Sequence, residues 1–295
     1  MYVSNGHEPR PFKVAHPNDL YEPHRSLICD RLGNETPLLT LYCPVWEGGN
    51  GIWGHQNPRA SSAVSLTERH WFISLNKHKQ HSTQIFQIDH RNVIAVEIGQ
   101  ALLLGWLRIN FWDGKNANQT DLLFNAHVFP DFRQLLSLWR YFYHGNPLTD
   151  KMAAFEFNPE KHFLLLNNES IRWQRSLPAV FRKRRRKTKV LAHQTDLMLT
   201  SNGFLLFSVY ESAPDKGQLT FAEAFHAWPV QQDRIKLDIV AQENRIVFKL
   251  SELRKERIRF DFFKEQFGNR DLKDLIAKLH DTEGVEHAGI YSKSD

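Results

Sequence analysis

Short apolar runs rich in β-branched and aromatic residues, separated by turn formers, recur along most of the chain. The first half carries "VSLT", "WFISL", "QIFQI", "VIAVEI", "GWLRINFW" and "DLLFNAHVF"; the second carries "LMLT", "FLLFS", "LTFAEAF", "RIKLDIVAQ", "NRIVFKL" and "RIRFDFF". Runs of this length and composition predict strands. Two segments break the pattern. Phe132, Leu135, Leu136 and Trp139, and again Leu272, Leu275, Ile276 and Leu279, follow the i, i+3, i+4, i+7 spacing of a helix with one buried face. Pro130 suits the first turn of the earlier helix. Asn202-Gly203, between "LMLT" and "FLLFS", is a hairpin signal because both residues tolerate positive φ.

The order of elements is written twice. Asn34, Glu35 and Pro44 match Asn168, Glu169 and Pro178 at an offset of 134, and Leu66-Thr67 and Trp71 match Leu199-Thr200 and Phe204 at 133. "DFRQLLSLWRYF" from Asp131 then matches "DLKDLIAKLH" from Asp271. Three matches in one order make an internal repeat the simplest reading. Each copy is about seven short strands followed by one amphipathic helix, a mainly β chain with α (α+β).

With its "LTxxxφφφS" stretch, later apolar strands and final Asp-led helix, each copy resembles the bacterial pleckstrin-homology-like (PH-like) and GRAM-like families, over residues 33–145 and 167–281. The resemblance implies two PH-like barrels of about seven antiparallel strands, each capped by a C-terminal helix, and a habit of binding in place of a reaction. The expected organisation is an extended arm (1–25), a first domain (26–147), a linker (148–165) opening after Gly145-Asn146-Pro147, a second domain (166–282) and a tail (283–295).

Composition narrows the class. Across 295 residues, 41% are apolar and 12% aromatic, enough for real cores, so global disorder is excluded. No apolar run approaches the roughly 20 residues of a bilayer span. The first residues carry Pro, His and charge where a secretory leader needs an apolar core. The expectation is a cytoplasmic protein, with peripheral membrane contact left open. Cys29 and Cys43 are too few for a disulfide framework and read as reduced thiols.

Charge is concentrated in one place. Arg182, Lys183, Arg184, Arg185, Arg186, Lys187 and Lys189 carry seven positive charges against a formal net of +5, leaving about −2 for everything else. A generally cationic nucleic-acid coat is therefore disfavoured. In the repeat this run occupies the place where the first copy has "WEGGNGIWGHQNPR", ahead of the Leu-Thr strand. Both read as loops, where a duplicated fold is free to vary and to carry function. Eukaryotic PH domains hold phosphoinositide head groups with the loop between their first two strands; here the likeness is one of position and charge. Near an anionic membrane each cation contributes about 1 kcal/mol, so seven give at most roughly 7 kcal/mol before the cost of ordering the loop. A solvated charge run, or a K/R-rich nuclear address or nucleic-acid tether, fits the same residues.

Elsewhere the chemistry is sparse. Gly49, Gly51 and Gly54 satisfy G-x-G-x-x-G, but Asn57-Pro58 breaks the helix a dinucleotide site requires, so no cofactor is expected. Trp46 and Trp53 beside those glycines are a candidate protein interface, or rings folded back onto the barrel. His70, His78 and His81 lack a third ligand, so no metal site is expected. Asp261 and Glu265 sit among Arg and Lys, as on a solvated strand face. Phe204, Phe207 and Tyr210 follow the basic run, but their apolar neighbours favour burial over base stacking. The expected role is a non-catalytic adaptor that docks its basic loop onto an acidic surface, an anionic membrane or an acidic protein partner. The alternative is a nucleic-acid-binding accessory protein or a protein–protein scaffold subunit of a larger complex.

Overall fold

The computed structural model describes residues 12–45, 60–77, 82–101, 104–144, 165–166, 169–184, 187–210, 222–228, 235–241, 245–252, 255–263, 266–267 and 269–280. The chain forms two compact units, residues 1–93 with 103–156, and residues 94–102 with 157–295. The exchange of 94–102 into the second unit has no counterpart in the contiguous limits expected above.

In the first unit, β1 (Phe12–Val14), β2 (Leu39–Cys43), β3 (Ser62–Leu66), β4 (His70–Lys77) and β5 (Ser82–Asp89) form an antiparallel sheet in chain order. Residues 12–25, expected as part of an extended arm, instead carry β1, a short 3-10 turn at Pro17–Asp19 and the start of an α-helix. β1 pairs with β2, and α1 (His24–Leu32) places Ile28 and Leu32 in a cluster with Tyr42, Ala63 and Phe72. The third buried position of α1 is His24, so its apolar stripe is too short to read as helical periodicity. After β6 (Val93–Ala101) come β7 (Leu104–Trp112), β8 (Ala117–Asn125) and α2 (Phe129–Tyr143). Along β7 every second residue is buried, as strand alternation requires. Phe132, Leu135, Leu136 and Trp139 form the buried stripe of α2. Phe132 stacks on Phe124 of β8 at 3.7 Å, and Trp139 meets Trp71 of β4 at 6.4 Å. The helix thus ties the sheet to the β7–β8 hairpin.

In the second unit, β9 (Ile171–Leu177), β10 (Val180–Arg184), β11 (Lys187–Ala192), β12 (Gln194–Thr200), β13 (Phe204–Tyr210) and β14 (Ala222–Trp228) are followed by β15 (Ile235–Ala241), β16 (Arg245–Glu252), β17 (Lys255–Phe263) and α3 (Asn269–His280). One run of strands has the order β6-β14-β13-β12-β9, a second β15-β16-β17, and β10-β11 stand apart as a two-stranded sheet. β6 joins through six register pairs, Ala101↔Ala222 to Val96↔Ala227, and Gln100 Nε2 donates to Glu223 Oε1 at 2.8 Å. Leu272 and Leu275 of α3 share a core cluster with Leu197 and Leu199 of β12 and with Ile246 and Phe248 of β16. The protein is mainly β with few helices, and among the described residues no strand pairing closes a sheet into a barrel.

Two turns use the same device. Thr67 Oγ1 accepts from the backbone N–H of Arg69 (3.2 Å) and His70 (2.9 Å) and donates to Glu35 Oε2 at 2.6 Å. Thr200 Oγ1 accepts from Asn202 and Gly203 N–H, both at 3.1 Å, and donates to Glu169 Oε1. The backbone closures match as well, Thr67 N–H to His70 O at 3.0 Å and Thr200 N–H to Gly203 O at 2.9 Å. The hairpin expected at Asn202-Gly203 therefore has Ser201 and Asn202 at its centre, with Gly203 closing it.

Candidate docking ribbon for an acidic surface

Where it is described, the basic run is strand and not loop, in β10 (Val180–Arg184) and β11 (Lys187–Ala192). Val180, Phe181 and Val190 are strand formers, and the root pairs as Val180↔Ala192 and Phe181↔Val190 across a register shift. That pairing carries the cationic segment out as a continuation of the ribbon, with Arg182↔Lys189, Lys183↔Thr188 and Arg184↔Lys187. Strand alternation assigns positions 182, 184, 187 and 189 to one face, and 181, 183, 188 and 190 to the other. Arg182 and Lys189 are exposed. Arg185 and Arg186 lie outside the described residues, as do Trp46 and Trp53.

The base of the ribbon is fixed to the core. Leu177 is fully buried, and the Pro178 carbonyl accepts from Gln266 Nε2 at 2.7 Å. Gln266 is itself buried, and its Oε1 accepts from Phe263 N–H at 2.9 Å. The glutamine thus straps the ribbon's root to the turn before α3. Nothing in the sequence marks this anchor, because its partners are backbone groups.

Charge along this edge divides in two. Arg175 of β9 is matched internally by Asp271 of α3 at 3.1 Å. Among the described residues no carboxylate pairs with Arg182 or Lys189. Placing like charges directly opposite one another, as Arg182↔Lys189 and Arg184↔Lys187 do, is unfavourable in a free sheet. Phe181, 42% exposed beside Arg182, is a large apolar surface that the charge count did not single out.

The other candidate residues have structural roles. His70 Nδ1 lies 2.7 Å from Glu35 Oε1; His78 and His81 lie outside the described residues, among which no group of three ligands gathers for a metal. Asp261 is held below the usual carboxylate range, chiefly by its hydrogen bond from Arg259; Glu265 lies outside the described residues. Phe204 and Phe207 are buried, and burial raises the Tyr210 phenol, so these rings form no open stacking platform. Both cysteines are free, and burial pushes the Cys43 thiol up to about 12. Gly49, Gly51 and Gly54 lie outside the described residues. No helix among the described residues is long and apolar enough to cross a membrane.

Comparison with protein-family models, curated proteins and solved structures finds no match to the chain.

Proposed function

We propose that the protein is a non-catalytic adaptor that docks the cationic ribbon β10–β11 onto a surface of fixed negative charge. The observation that carries this reading is the register that sets cation opposite cation on a ribbon whose exposed Arg182 and Lys189 meet no carboxylate among the described residues. That opposition adds nothing to the stability of the fold. A partner bearing anions converts it into binding energy, with little reorganisation because the root is strapped to Gln266.

The scaffold presenting the ribbon is, on this reading, the second of two PH-like copies. Two features support it. The order β2 to β5, then β6 to β8, then α2 recurs as β9 and β12 to β14, then β15 to β17, then α3, with the ribbon inserted after the first strand. The Thr67–Glu35 and Thr200–Glu169 devices also use residues that match across the repeat.

The test replaces Arg184, Arg185 and Arg186 by Glu together. Binding to a panel of phosphatidylserine vesicles, duplex DNA and polyglutamate is expected for the native chain with at least one member, and to fall with salt. The variant should lose that binding with its thermal melt nearly unchanged. Binding retained by the variant refutes the assignment.

A further inference from the structure

Resting on the docking reading above, we infer that the acidic surface is a B-form DNA duplex and that the ribbon β10–β11 lies in its major groove. The first argument is shape. A two-stranded ribbon is one of the elements that the groove, about 12 Å wide and 8.5 Å deep, admits. Among the described residues β10 and β11 pair only with each other, so the ribbon has that form from its root outward.

The second argument is the pattern of positions. Residues 182 and 184, with 189 and 187 across from them, occupy one face of the ribbon. Same-face neighbours on a strand stand roughly 7 Å apart, and directly opposed residues about 5 Å. This grid of four basic positions is narrow enough to enter the groove, between phosphates carried on both walls. Four of the seven cations are Arg, whose planar fork suits both phosphate and the O6/N7 edge of guanine that the groove floor presents.

The third argument separates DNA from a membrane. From Arg182 to Lys189 the only residue that is not Lys or Arg is Thr188, so the run offers nothing apolar to insert into lipid. Phe181 lies at the root, on the face opposite the four basic positions. The remainder of the chain sums to about −2. A groove engages the ribbon alone, whereas a broad anionic sheet gains nothing from that remainder. Duplex RNA is a distinct case, because its major groove is too deep and narrow to read.

The experiment measures anisotropy of a labelled 20-base-pair DNA duplex with the full chain between 50 and 200 mM salt. A matched RNA duplex, phosphatidylserine vesicles and polyglutamate are run alongside. Expected are a log K against log salt slope of about −4 to −6, from 0.9 per neutralised phosphate, and at least ten-fold weaker binding to RNA. Arg182→Ala with Lys189→Ala should reduce the slope by about 2. Equal affinity for RNA, or a slope indifferent to the double variant, overturns groove entry by the ribbon. Binding to vesicles or polyglutamate with the DNA left free overturns the DNA assignment and leaves the docking function standing. No binding to any of the four overturns both.

Discussion

Replacing Thr67 by Val deletes one hydroxyl from a site that is 1% exposed and asks what the shared turn device is worth. The oxygen serves three partners: it accepts from Arg69 and His70 N–H and donates to the Glu35 carboxylate at 2.6 Å. A hydrogen bond to a charged acceptor is worth about 1.5–3 kcal/mol, and each turn N–H left without its acceptor adds up to about 1 kcal/mol. Glu35 keeps its contact with His70 and is only partly buried, which lowers the sum. The expected loss is about 2–4 kcal/mol for Thr67→Val and under about 1 kcal/mol for Thr67→Ser, which keeps the hydroxyl. Urea unfolding of both variants, with hydrogen exchange over the Arg69 and His70 amides, reads the difference. Combining Thr67→Val with Glu35→Ala should give a coupling of about 1.5–3 kcal/mol. Thr200→Val with Glu169→Ala should behave alike, since the second turn has the same wiring. If Thr67→Val proves as stable as Thr67→Ser, or the coupling falls below about 0.5 kcal/mol, the device is incidental and loses its weight as support for duplication.

Three further outcomes follow from the packing. A Cβ at Gly105 would overlap the Phe124 ring, which is held against Phe132 at 3.7 Å. Gly105→Ala should therefore cost about 1–3 kcal/mol, seen as a lower urea midpoint; an unchanged midpoint would mean the ring can yield. His24 and His90 are both buried and pushed down from 6.5 to about 4 by desolvation. They stay neutral when folded and protonate when unfolded, so stability is intact above about pH 6.5 and falls as pH drops towards 4. Each group accounts for a loss of the order of 3 kcal/mol at about 1.4 kcal/mol per unit. Urea midpoints that stay flat from pH 7 to 4.5 contradict this. Cys43, buried with its thiol raised to about 12, should resist a thiol reagent in the native protein and react on unfolding. Rapid native labelling at Cys43 would show that β2 opens.

The helix stripes of α2 and α3 were legible because one face of each meets a core, and burial on one side of a helix leaves a 3.6-residue trace in residue type. The strands were legible for the same reason at period two, most plainly along β7. Matching Glu35 with Glu169 and Thr67 with Thr200 located the two turn devices without revealing that each pair is bonded. The ribbon reads as a loop in the sequence because seven like charges repel, and nothing local announces that Val180, Phe181 and Val190 to Ala192 pair at its root.

Local patterning was thus sufficient for most of the strands, for α2 and α3, and for the single concentration of positive charge, since each depends on which residues stand near one another in the chain; it did not reach β1, α1 or the ribbon β10–β11. Long-range pairing decided the rest. β6 joins β14 across more than a hundred residues, Gln266 straps Pro178, and register sets Arg182 against Lys189. Such contacts are chosen by shape and by backbone groups that every residue carries alike, so they leave no mark in side-chain type and emerge only when the chain is folded.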